Sequence, residues 1–304
     1  MYHYVRPFDR RYPYFKNLHL DDFKMQLDYF ENKYGFISKN DFVNSLKTGI
    51  PKKGVILTFD DALSCHYKYV FKELKRRNIW GIFYVPTLPY IKNKIIDVHR
   101  IHLLLGKVKS KKLFNSLNEI INDSMIEKSS VNEFKKFTYT TQENDSYSLY
   151  IKRVLNYFVI YNKREEVIDK LMNIYYRNEK NLVNEFYLKK SEISEMHDNG
   201  MIIGSHTENH PVMSRLNYKD QEYEIQSSFT CIKQILKNLK QKIYCHPYGG
   251  HHSFNEITLE ILNKYNCDFS FNVDPRDIEK DDLKNKKQSL PRYNCNQFKF
   301  GQIR

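Results

Sequence analysis

Cysteine is scarce and unpaired by pattern: Cys65, Cys231, Cys245, Cys267 and Cys295 are odd in number and contain no CxxC motif. That excludes a disulfide framework and a zinc ribbon, and reduced thiols in a cytoplasmic protein are the simplest reading. The opening Met1-Tyr2-His3-Tyr4-Val5-Arg6-Pro7 has no apolar run of signal-peptide length, and no transmembrane segment is expected anywhere. The chain is therefore expected in the cytoplasm or at the inner membrane face. There is no internal repeat and no low-complexity tract. Acids are in deficit, 36 Asp+Glu against 49 Lys+Arg, for a net charge of +13. Such a balance suits nucleic acid, an anionic membrane surface or an acidic glycan. The densest basic runs, Lys107 to Lys112 and Lys284 to Lys287, lack interleaved aromatics, so nucleic acid is not expected. A solvated basic face, able to meet a membrane surface peripherally, accounts for the charge. Trp80 is the only tryptophan beside 24 Tyr and 20 Phe; exposed rings among these would suit stacking on sugar, although most belong in the core.

Against that background, Thr58-Phe59-Asp60-Asp61 stands out. The apolar run Gly54-Val55-Ile56-Leu57 reads as a buried strand, and two acids at its end concentrate charge at the rim of a core. A helix N-cap is the plain alternative, since Ala62 to Arg77 reads as helix, but one Asp would suffice for a cap. His206-Thr207-Glu208-Asn209-His210-Pro211 follows a second apolar run, Met201-Ile202-Ile203-Gly204. Histidines four apart can face the same way on a helical turn or a tight loop. Two imidazoles with one carboxylate make a three-ligand metal site with open positions.

These two stretches resemble the first two motifs of the polysaccharide deacetylases, the NodB-like family also called carbohydrate esterase family four. Val70 to Arg77 and Gly81-Ile82-Phe83-Tyr84-Val85 resemble its first helix and second strand. Leu188 to Ser205 resembles the approach to the second motif, His246-Pro247-Tyr248-Gly249 the third, and Leu290-Pro291-Arg292-Tyr293-Asn294 a late strand. The resemblance covers roughly residues 1 to 90 and 186 to 294, in the family's motif order. It implies an α/β fold, a distorted (β/α)7 barrel of the NodB type. It also implies a metal-dependent hydrolase that removes the N-acetyl group of an amino sugar. By resemblance, Asp61, His206 and His210 hold one divalent metal, zinc foremost, with Co2+, Ni2+, Fe2+ or Mn2+ also fitting. Asp60 is the base, and the backbone N–H of Tyr248 stabilises the oxyanion. Family members are often exported, so the missing leader places the substrate on a nucleotide-linked or lipid-linked precursor of a bacterial surface glycan. O-acetyl esters and non-sugar amides are alternatives within the family.

Hydrophobic period divides the chain into residues 1–90 and 186–304, a barrel with a βα rhythm, and residues 91–185, a helical insertion that could serve as lid or substrate selector. Tyr2 to Val5 is read as a first strand. Two departures from the family pattern matter. Cys245 stands where the third motif usually has an Arg paired with the catalytic Asp, and Arg292 is the candidate replacement. The late Leu-His motif, whose His protonates the leaving amine, has no match in Gln297 to Arg304. Candidate acids are His99, His102, His251 and His252, with His3 aligned but unassigned. Two rivals follow from these features: a non-catalytic glycan-binding descendant, and a two-His-one-carboxylate iron oxygenase with the same ligand set.

Overall fold

The computed structural model describes residues 1–140, 142–176 and 178–304. Its contacts divide the chain into two compact units. The first comprises Met1–Pro7, Asn17–Asn93 and Val183–Arg304; the second comprises Phe8–Lys16 and Lys94–Leu182.

The first unit is built on five parallel strands in sequential order: β1 (Leu57–Phe59), β2 (Gly81–Val85), β3 (Ile202–Ser205), β4 (Ile243–Cys245) and β5 (Phe269–Phe271). All are buried, which suits parallel strands covered on both faces and explains their continuous apolar runs. Single parallel bridges extend the sheet at both edges, Tyr2 to Phe59 and Phe271 to Leu290. The Cys295 N–H then donates to the Met1 carbonyl, and the Met1 nitrogen to the Tyr293 carbonyl. Seven staves result, five of them regular strands, the curled arrangement of a distorted NodB-type barrel. Two expected strands change accordingly. Tyr2 to Val5 contributes isolated bridges only, and the strand expected at Gly54–Leu57 lies at Leu57–Phe59, because Val55 instead bridges Phe36.

Alternation sorts the side chains of each strand. Leu57, Phe59, Phe83, Val85 and Ile203 face outward onto helices α1 (Leu20–Lys33), the Leu74 turn and the Ile193–Met196 segment. Ile82, Tyr84, Ile202, Ile243, Phe269 and Phe271 share the other core, which α2 (Lys39–Thr48) plugs with Phe42 and Leu46. Thr58, Gly204 and Cys245 fall on that inner set. The residues one pleat further on, Asp60 and His206, therefore arrive at the inner side of the C-terminal strand ends.

The second unit is helical: α3 to α7 are Asp97–Lys107, Ser110–Ile120, Lys128–Phe134, Ser146–Arg153 and Tyr161–Tyr175. Its core includes Ile101, Leu104, Leu113, Leu117, Leu155 and Leu171. Buried Arg100 is held by Asp97, Asp169 and Glu179. The short stretch Phe8–Lys16 joins this unit because Phe15 packs on Gly106, where an added Cβ would come within 2.5 Å of its ring. Among the described residues, no helix is long and apolar enough to cross a membrane.

Candidate active site

Asp60 and Asp61 follow β1 but cap no helix. Asp61 and Ala62 are left-handed, at φ 82° and 51°, and the helix begins only at Ser64. The cap alternative is thereby overturned: the reversal carries the two carboxylates apart. Asp60 accepts both arms of Arg292, Nη1 to Oδ1 at 2.8 Å and Nη2 to Oδ2 at 2.9 Å. Arg292 also donates to the Asn272 carbonyl and to Thr58 Oγ1, each at 3.0 Å, and lies 5.7 Å over Tyr84 and 5.8 Å over Phe271. Burial alone would raise the Asp60 carboxyl; the charge of Arg292, aided by His206, outweighs it and holds the group well below the carboxylate range. Cys245 Sγ touches the same guanidinium at 3.0 Å.

Asp61 turns the other way. Its Oδ1 lies 3.5 Å from His206 Nε2 and 3.8 Å from His210 Nε2. His206 Nδ1 lies 2.8 Å from the Cys245 carbonyl. A carbonyl only accepts, so Nδ1 carries the proton and Nε2 presents a lone pair toward the carboxylate. Burial favours neutral His206, although Asp60 and Asp61 pull against it. A lone pair facing a carboxylate oxygen is repulsive unless a cation lies between. The three donor atoms sit within 4.8 Å of one another, and two imidazoles with a carboxylate are a catalytic zinc donor set. A second grouping, Asp60, His206 and Cys245, is as compact, but Arg292 occupies both Asp60 oxygens and burial holds the thiol protonated. The residues fit one divalent ion at Asp61, His206 and His210.

The histidines sit on a tight loop rather than a helical turn. Thr207 and His210 are left-handed, and Thr207 Oγ1 bridges the loop, donating to the His206 carbonyl and accepting from the His210 N–H. Among the described residues, five of the ten non-glycine residues with positive φ are Asp61, Ala62, Thr207, His210 and Tyr248. Backbone strain is thus gathered at this site, where such strain is usually found. A buried carboxylate keeps the loop in place: Glu224, on α10 (Tyr218–Ile235, following α8, Glu179–Phe186, and α9, Lys190–Asp198), accepts from the Glu208 and Asn209 N–H groups and from Asn209 Nδ2. Glu224→Gln loses acceptors for these donors. We expect metal affinity to fall about 10- to 100-fold, as for other supporting partners of ligands, measured by competition with a chelating dye.

Tyr248 is left-handed and its ring lies 4.9 Å from that of His210. Gly249 follows at φ 72°, where a Cβ would also come within 2.2 Å of Val273. His246 is stacked on Phe254 in the core. The candidate acids are placed separately. His251 is exposed, 4.0 Å from Asp274, and the His252 ring lies against Gly250. His99 and His102 belong to α3 of the second unit. His3, to which the sequence attached no role, lies with Nε2 3.9 Å from Asp61 Oδ2, while its carbonyl accepts from His66 Nε2 at 2.7 Å. Alternation against outward Tyr2 on the first stave was the available signal for it.

Residues 155–270 match the family model described as polysaccharide deacetylase. Over that stretch the chain is similar to the polysaccharide deacetylases, and its curled sheet of parallel strands has the fold of a NodB-type barrel. Similar solved structures include the deacetylase PplD of Streptococcus pyogenes in complex with acetate, at 16% identity and TM-score 0.57, over 96% of this chain and 88% of that one. A de-N-acetylase of Aggregatibacter actinomycetemcomitans aligns at 14% identity and TM-score 0.52, over 96% and 92%. IcaB of Ammonifex degensii aligns at 17% identity and TM-score 0.51, over 89% and 81%. No curated protein sequence matches the chain significantly.

Proposed function

We propose that this chain is a metal-dependent N-deacetylase of an amino sugar, acting on a glycan or on a nucleotide-linked or lipid-linked glycan precursor. The observation that carries the reading is the division of labour between Asp60, forked onto Arg292, and Asp61, facing His206 and His210. Asp61, His206 and His210 would hold the metal, for which zinc suits the donors. When bound, it supplies Lewis acidity that polarises the amide and acidifies water.

Asp60 takes up the water proton. Arg292 favours its ionised form, so the carboxylate is available to accept a proton. Each oxygen that accepts from Arg292 retains a second lone pair for that task. The Tyr248 N–H stabilises the oxyanion, a contribution of about 3–4 kcal/mol where such donors have been removed. His3, whose Nε2 lies near Asp61 Oδ2 while the histidine pair lies near Oδ1, delivers the proton to the leaving amine. Arg292 restores the cation that Cys245 cannot provide, which speaks against a binding-only descendant.

The test is metal analysis of the purified chain together with a mass-spectrometric screen for acetyl loss across acetylated nucleotide sugars and oligosaccharides. Metal bound without turnover of any of them would refute the reading, and a requirement for oxygen and 2-oxoglutarate would favour the oxygenase. His3→Gln should lower kcat by about 10²- to 10⁴-fold with metal content unchanged.

A further inference from the structure

The N-terminal ends of the strands carry a second concavity. Where β3 begins and the chain enters β4, α2 and the barrel rim enclose a cavity of about 410 Å3. Its polar lining includes Lys39, Lys47 and Lys240 with the amides of Asn40, Asn44 and Gln241. Val43, Ile202, Ile203 and Leu239 supply an apolar floor. Among the described residues no carboxylate lines it, although the part-buried His197 at its edge lies 3.6 Å from Asp198.

The three lysines have no ion-pair partner among the described residues. Several arginines elsewhere are paired: Arg76 and Arg77 with Glu73, Arg100 with Asp169, Arg276 with Asp282, Arg292 with Asp60. Lys39 is fixed in direction by its bond to the Gly200 carbonyl at 3.1 Å. Burial, and then the neighbouring charge of Lys240, weakens its hold on its proton. Like charges have thus been brought together in a partly desolvated cleft without a counter-ion.

We propose that this cleft binds a phosphate ester, with Lys39, Lys47 and Lys240 around the phosphate and the apolar floor against its organic part. Ammonium groups act as point charges for phosphate, and side-chain amides add donors. The lack of carboxylates excludes a cation, and the apolar floor favours an ester over an inorganic ion. The phosphate belongs either to a soluble nucleotide or to the headgroup of an anionic lipid. The inference does not depend on the deacetylase reading, since it concerns the opposite strand ends and is tested by binding alone.

The experiment titrates the full chain with inorganic phosphate, with uridine diphosphate, and with phosphatidylcholine vesicles with and without phosphatidylglycerol. Saturable binding to uridine diphosphate alone identifies a soluble ester, and binding only to phosphatidylglycerol vesicles a lipid headgroup. Either should weaken about tenfold for each lysine replaced in the series Lys47→Gln, Lys240→Gln and Lys39→Gln. Lys47 and Lys240 are exposed, so their variants should fold normally and be verified by unchanged thermal unfolding. Absence of saturable binding to every probe, preference for inorganic phosphate alone, or equal binding by the triple variant would overturn the proposal.

Discussion

Arg292→Met will destabilise the fold by about 3–5 kcal/mol, the cost of leaving one partner of a buried ion pair without the other. Both side chains are almost fully enclosed, 4% and 2% exposed, and the contact is bidentate. Urea unfolding measures the loss, provided metal content is held constant. Turnover should fall with stability but for a separate reason. Without the guanidinium, burial is free to raise the Asp60 carboxyl. The base then takes up its proton at a higher pH than in the parent chain, and activity returns as pH rises. The acid limb of the pH–rate profile should therefore move upward relative to the parent chain. A double variant, Asp60→Asn with Arg292→Met, removes both charges and should be less destabilised than the sum of the singles, with a coupling of about 0.5–3 kcal/mol. An Arg292→Met chain as stable as the parent would mean that the pair is not the buried unit described here.

That pair also marks how far the sequence can be read. The strands at Gly81–Val85 and near Met201–Gly204 were legible because each is a short continuous apolar run, the pattern of a strand buried on both faces. The four residues at the centre of the site were legible because each pair closes such a run. The partner of Asp60 was not legible in the same way, because it lies 232 positions along the chain and no local period links them. Cys245, a small apolar thiol standing where a cation is needed, and the resemblance of Leu290 to Asn294 to a late strand were the signals, and Arg292 reaches the site from the stave beyond β5. The segment Phe8–Lys16 was illegible for another reason. It has no period of either kind, and its membership of the helical unit is decided by tertiary contacts: Phe15 packed on Gly106, the Tyr14 N–H on the Gly106 carbonyl and Lys16 on the Glu143 carbonyl. The first strand failed because the two edge staves are held by single bridges, while periodicity cannot distinguish a bridge from a strand.

Asp60→Asn and Asp61→Asn, changes of one atom at neighbouring positions, should produce different losses. Asp61→Asn removes the negative charge that faces His206 and His210, so two neutral imidazoles and a neutral amide are left as donors. Stoichiometric metal should be lost on dialysis, and activity with it. Asp60→Asn leaves that donor set intact, since its oxygens face Arg292 rather than the histidines. Metal content should be unchanged, while turnover falls by about 10²- to 10⁴-fold, the usual contribution of a positioned base. The variant also strands the Arg292 charge, so it must be assayed below its own unfolding temperature, which the Arg292→Met partner variant helps to raise. Metal analysis by mass spectrometry and acetate release, run on the same preparations, separate the two roles. Equal metal loss in both variants would make Asp60 a ligand. Full turnover in Asp60→Asn would pass the base to another group, and the left-handed turn at Asp61 would then have separated two carboxylates of which only one takes part in the chemistry.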